Sequence, residues 1–191
     1  MLRIVNLEEI ERMLLRVSAL VDLQDRGDPD FARDVKQWLS ELEKVLNNNR
    51  IAVAGNVAAL RALVISAERG VIPVGVEFHG RPTRRKIQEA AGAYVLRQSG
   101  DLVSSVTQRE RERVAEAERL TRQLVALAKA KGLIQEVPGG GDFTEMLKSI
   151  WRTLSADPDI SRGTVNVEGL VGPYEALIVL DRIMTSDLPR E

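Results

Sequence analysis

The chain has 191 residues, 44% of them hydrophobic and 29% charged, with 27 basic residues against 28 acidic ones for a net charge of -1. That length and apolar content support one cored domain or a domain with an appendage, and near-neutrality means that affinity for a polyanion must come from a local patch. The absence of cysteine excludes disulfides, thiolate nucleophiles and cysteine zinc sites, and only 4% of residues are aromatic, which leaves aliphatic residues to fill a helix-on-helix core.

The start of the chain is amphipathic and rich in glutamate, without the apolar run of a signal peptide, so a cytoplasmic chain is expected. Asn6 and Glu9 match a capping box, and Ile10, Met13, Leu14, Val17, Leu20 and Val21 follow at helical spacing as far as Gly27. Asp28-Pro29 has the form of a helix opener, and Phe31, Val35, Trp38, Leu39, Leu42 and Leu46 make a second stripe. After the Asn47–Asn49 break, residues 51–69 form the most apolar window. Asn56 and Arg61 interrupt it, so it reads as a buried helix that falls short of the ~20 apolar residues of a membrane span.

Residues 71–81 change character. Val74, Val76 and Phe78 alternate with Gly75, Glu77 and His79, which is strand spacing, and a similar alternation occurs at 164–171. These two runs could pair as a two-stranded ribbon. Pro82-Thr83 opens a fourth helix that breaks near Gly100, and Asp101 or Thr107 caps a fifth. In that fifth helix, Gln108–Arg113 has no apolar residue. The stripe begins only at Val114 and continues through Ala117, Leu120, Leu124 and Leu127, so the helix must project past a globule or lie against something polar.

Pro138–Gly141 is a flexible joint, not a phosphate loop, because Asp142 follows where a Lys-Ser/Thr pair would be needed. Asp142 then caps a helix with Phe143, Met146, Leu147, Ile150, Trp151 and Leu154, and Gly172-Pro173 opens a last one. Residues 27–33 echo residues 156–162 around an Asp-Pro-Asp core, which reads as repeated capping chemistry. Trp38 and Trp151 each lie on an apolar stripe and belong to the core.

The expected fold is therefore all-α. It is an antiparallel bundle of about five to seven helices with at most a small β ribbon (71–81 with 164–171). The expected division is residues 1–136 as bundle, 137–141 as joint and 142–191 as a C-terminal helical segment packed on the bundle.

Three functional readings follow from the residues. The first is a non-enzymatic interaction or adaptor subunit of a cytoplasmic assembly, binding a protein partner or a second copy of itself through Arg109, Arg111, Arg113, Arg119 and Arg122 or through the C-terminal segment. Within that stretch, Glu110–Arg113 and Arg109–Glu112 are spaced to pair at i,i+3, which makes it nearly self-neutral. The second reading is nucleic-acid binding through Arg81, Thr83, Arg84, Arg85 and Lys86. Three cations in the first turn of a helix oppose its dipole, and a bound phosphate would reverse the sign of that cost. The third is a phosphoester-acting enzyme built on Glu77 and His79, the only histidine, with Arg81 on the same face of an extended segment. No nucleophile or second base stands at a recognisable spacing, and no cofactor, metal site or membrane contact is expected.

Overall fold

The computed structural model describes residues 2–76, 82–134 and 142–186. Among them the protein is all-α, with seven helices: α1 (Ile4–Asp25), α2 (Phe31–Asn48), α3 (Ala54–Glu68), α4 (Arg84–Ala130), α5 (Phe143–Ala156), α6 (Ser161–Val171) and α7 (Pro173–Ser186). The chain divides into two compact units. One comprises Leu2 and Ile4–Gln108; the other comprises Arg3 and the described residues from Arg109 on. The 47-residue helix α4 thus contributes its first half to one unit and its second half to the other.

In the first unit α2 is the central element and packs against both α1 and α3. Phe31, Val35, Trp38, Leu39, Leu42 and Leu46 recur every three or four positions, and all are buried. They meet Ile10, Met13 and Leu20 of α1, Val57 and Val64 of α3, and Val95, Leu96 and Val103 of α4. Trp38 is wholly enclosed, and its indole N–H donates to the Met13 carbonyl at 2.8 Å. A buried indole needs such a partner, because an unpaired N–H in an apolar core costs about 1–3 kcal/mol.

In the second unit α5, α6 and α7 pack against one another. Leu147, Trp151 and Leu154 of α5, Val167 and Val171 of α6, and Val179, Leu180 and Ile183 of α7 are buried. The second half of α4 buries Val114, Ala117, Thr121, Leu124, Val125 and Ala128.

The punctuation follows local chemistry. Asp142 caps α5, its carboxylate accepting from the Thr144 N–H at 2.9 Å. Pro173 takes the first position of α7, where it has no N–H to leave unpaired. Gly27 (φ 63°) and Gly70 (φ 82°) follow α1 and α3 in the left-handed region that side chains resist. The two Asp-Pro-Asp segments adopt one geometry. Asp28 Oδ1 accepts from the Asp30 N–H at 2.8 Å, and Asp157 Oδ1 accepts from the Asp159 N–H at 3.0 Å. The next residues, Phe31 and Ile160, donate their N–H groups to the Asp28 and Asp157 carbonyls and bury their side chains.

Several expectations are corrected. The β ribbon does not form among the described residues. Residues 164–171 lie within α6, which buries Thr164, Val167 and Val171 at i, i+3 and i+7 and leaves Val165 exposed. The alternation of valines there coincides with a helical stripe, and burial overrides the β preference of the branched residues. Residues 71–76 contain a turn and no strand, and 77–81 lie outside the described residues. Asn6 lies inside α1, which starts at Ile4, so it does not cap that helix. α2 begins at Phe31 and not at Pro29.

The expected break near Gly100 is also absent, because α4 runs through it. Glycine in a helix costs about 1 kcal/mol relative to alanine. Leu96 and Val103, buried on either side of Gly100, outweigh that cost. Ser99, Thr107 and Thr121 are buried on the same helix. Their hydroxyls donate to the carbonyls four residues back, at 2.6, 3.1 and 2.8 Å, so these small polar side chains enter the core satisfied. The polar stretch Gln108–Arg113 is where the two units divide, between Gln108 and Arg109.

Candidate functional site

The basic cluster lies where α3 ends and α4 begins. α3 closes with the Gly70 N–H on the Ala67 carbonyl and the Val71 N–H on the Ser66 carbonyl, a Schellman-type ending. Thr83 caps α4. Its Oγ1 accepts from the Lys86 N–H at 3.3 Å, and its carbonyl accepts the Ile87 N–H.

Arg84, Arg85 and Lys86 are all exposed, but two of them are tied down. Arg84 donates through Nε (2.8 Å) and Nη2 to the Glu68 carbonyl, at the C-terminal end of α3. Arg85 donates through Nη2 to the Gly27 carbonyl at 2.9 Å, in the turn after α1. The cations that crowd the positive end of α4 therefore sit on carbonyls at the negative end of another helix and in a helix-closing turn. This removes the electrostatic puzzle without a bound anion. Arg81 lies outside the described residues, as do Glu77 and His79.

Beside these cations is a feature that the sequence disguised as a strand. Val71, Ile72 and Val74 are 57%, 46% and 93% exposed. Among the described residues, no other four-residue window exposes more than one large hydrophobic side chain. The segment is held in place. Pro73 is buried, the Val76 N–H donates to the Pro73 carbonyl at 3.3 Å, and Gly75 (φ 89°) lies so close to Tyr94 that an added Cβ would meet its hydroxyl at 3.2 Å. Alternating valines suggested a pleated strand, whereas a buried proline and a left-handed glycine turn the chain and leave valines outside.

The arginines of the 109–122 stretch are engaged near home. Arg113 pairs with Glu110, at the i,i+3 spacing expected. Arg119 makes two hydrogen bonds to Glu116, at 2.8 and 2.6 Å, and this pairing holds the Glu116 carboxyl below its ordinary range. Arg122 lies 3.6 Å from Glu118, which also accepts from Arg182 of α7 at 3.0 Å. Arg109 is exposed and Arg111 half-buried.

Two clefts lie among the described residues. One, in the first unit, has a volume of about 420 Å³ and is lined by Val17, Val21, Ala93, Leu96, Arg97 and Asp101, among others. The other, in the second unit, measures about 380 Å³ and is bordered by Lys148, Trp151, Arg152, Glu168, Tyr174 and Leu177. There Trp151 is buried and donates its indole N–H to Glu168 at 2.8 Å, while Tyr174 is exposed. Neither cleft contains a nucleophile beside a base, and no group of three His, Cys, Asp or Glu residues spaced to hold a metal occurs among the described residues. No helix among them is long and apolar enough to cross a membrane. No protein-family model, curated protein or solved structure shows significant similarity to the chain.

Proposed function

We propose that this protein is a non-enzymatic interaction subunit that binds another protein chain through the face formed by Val71, Ile72, Val74 and the start of α4. The observation that carries this reading is the cluster of three exposed aliphatic side chains on an anchored, non-helical segment. Single exposed aliphatics are ordinary, whereas three within four residues on a hydrogen-bonded segment support a contact role. A preformed segment also loses little conformational entropy on binding.

The Arg109–Arg122 stretch contributes less to this reading. Its Glu110–Arg113, Glu116–Arg119 and Glu118–Arg122 pairs make a largely self-neutral helix surface. The phosphate-binding alternative is weakened because Arg84 and Arg85 have structural partners in Glu68 and Gly27.

A photo-crosslinking residue placed at position 74 of the full chain tests the proposal in cells, with the same residue at the exposed Leu15 of α1 as the control. A discrete cross-linked protein is expected at 74 and not at 15, and Ile72→Ser should abolish it. Equal labelling at the two positions, or none at 74, would remove the basis for the assignment.

A further inference from the structure

Beyond that reading, and through other residues, we infer that the protein pairs with a second copy of itself across the cleft between α1 and α4, about a two-fold axis beside Gly100. The cleft lies within the first unit and holds about 420 Å³. Val17 and Val21 of α1 and Leu96 of α4 give it an apolar lining, and Arg97, Gly100 and Asp101 line it from the α4 side. Val21 is left exposed there.

Two features of α4 find no reason within a single copy. Arg97 and Asp101 are exposed, opposite in charge and one turn apart, yet neither side chain has an ion-pair or hydrogen-bond partner among the described residues. Arginine before an acid is the weaker order for pairing along one helix. Gly100 is the second feature. A Cβ there would meet nothing within 4 Å, so no contact inside the chain requires a glycine that costs the helix about 1 kcal/mol. A glycine on a helix surface lets another backbone approach closely.

A second copy accounts for both. In a two-fold contact, residue i of one copy meets residue j of the other, and j meets i. An axis crossing α4 midway between positions 97 and 101 sets each copy's Arg97 against the other's Asp101, and it passes beside Gly100. One unpaired couple thus becomes two ion pairs, and the apolar linings of both clefts are covered. Packed helix axes lie ~8–10 Å apart, a gap that arginine and aspartate side chains span together. Other occupants fit less well. An anion here would sit beside Asp101 and a cation beside Arg97, and a wholly apolar segment would leave both charges unpaired.

Sedimentation velocity of the full chain over the micromolar range tests this. The wild type should dimerise, less tightly as salt rises. Arg97→Asp and Asp101→Arg should each set like charges against one another and weaken the dimer by about tenfold or more. An equimolar mixture of the two variants should associate again, and so should the double variant Arg97→Asp/Asp101→Arg. Gly100→Gln, which suits a helix but fills the crossing, should weaken the dimer as well. Arg97 and Asp101 are exposed and the space beside Gly100 is open, so each variant should keep the wild-type helical circular dichroism.

A monomer at every concentration would overturn the inference. So would a dimer indifferent to the charge changes, or a mixture that associates no better than either single variant. Val74→Ser should leave the dimer unchanged. A dimer that Val74→Ser removes and the α4 variants leave intact would move self-association to the Val71–Val74 segment, defeating this assignment while the interaction reading stands.

Discussion

Two glycines eight positions apart on α4 should respond to alanine with opposite signs. A Cβ added at Gly100 meets nothing within 4 Å, so Gly100→Ala removes only the flexibility of a glycine in a helix interior and should stabilise by about 0.5–1 kcal/mol. A Cβ added at Gly92 lies 2.9 Å from Phe31 Cε1 and 3.5 Å from two further ring atoms. Phe31 is buried in the main core of the first unit and cannot swing away. Overpacking of a fixed core costs about 1–3 kcal/mol, against which the same propensity gain of up to ~1 kcal/mol applies. Gly92→Ala should therefore be destabilising by up to about 2 kcal/mol. The two variants should differ by ~1–3 kcal/mol, or roughly 2–12 °C in Tm at about 2–4 °C per kcal/mol for a chain of this size. Urea titration followed by circular dichroism, with scanning calorimetry as a second readout, measures both. Gly92→Ala as stable as Gly100→Ala would refute the claim that α4 seats Phe31 at Gly92.

Two further perturbations test the internal ties. Lys131 Nζ bonds Asp157 at 2.7 and 2.6 Å and Asp159 at 2.8 Å, and this hydrogen bonding holds the Asp157 carboxyl below its ordinary range and raises Lys131 above its own. A depressed carboxyl adds stability that is present above its unfolded pKa and disappears as pH falls through the lower folded value. Asp157→Asn should thus lower the urea midpoint at neutral pH and lose that deficit in strong acid; a deficit independent of pH would contradict the tie. On α4, Thr107→Val should be neutral within about 1 kcal/mol, since the hydroxyl bonds only carbonyls of its own helix, at 3.1 and 3.2 Å. Thr107→Glu should cost several kcal/mol by burying a carboxylate, and thermal melts showing it harmless would mean that this position is solvated.

The division between what sequence shows and what it hides follows the range of the forces involved. The stripe of α2, the Asp142 cap, the Pro173 start and the turn at Gly27 were legible because capping and amphipathic spacing act within one or two turns of chain. The Asp-Pro-Asp echo was legible as a repeat but not as helix capping: Asp28 and Asp157 close turns, and the helices that follow have Asp30 and Ile160 at their N-caps with no side-chain cap bond. The run of helix through Gly100 was not legible, because it depends on Leu96 and Val103 finding neighbours far away in the chain. Thr107, read as the cap of a separate helix, instead lies buried inside α4 with its hydroxyl on the Val103 carbonyl of the preceding turn.

The candidate site divides in the same way. Sequence located the basic residues at the start of α4 and the capping role of Thr83, since both are local. It did not show that the Arg85 and Arg84 guanidinium groups donate to the Gly27 and Glu68 carbonyls, 58 and 16 positions away. It also took the valines of 71–76 for part of a strand in a small ribbon, because alternation does not say whether a partner strand is there to pair with. The sequence by itself determined the helical class of the chain and those helix ends that carry a local signal, such as Thr83, Asp142 and Pro173, through interactions spanning a few residues. Only the tertiary structure decided which polar residues enter the core, which arginines are structural and which aliphatic side chains stay outside, because burial is settled by contacts between residues that the chain order keeps far apart.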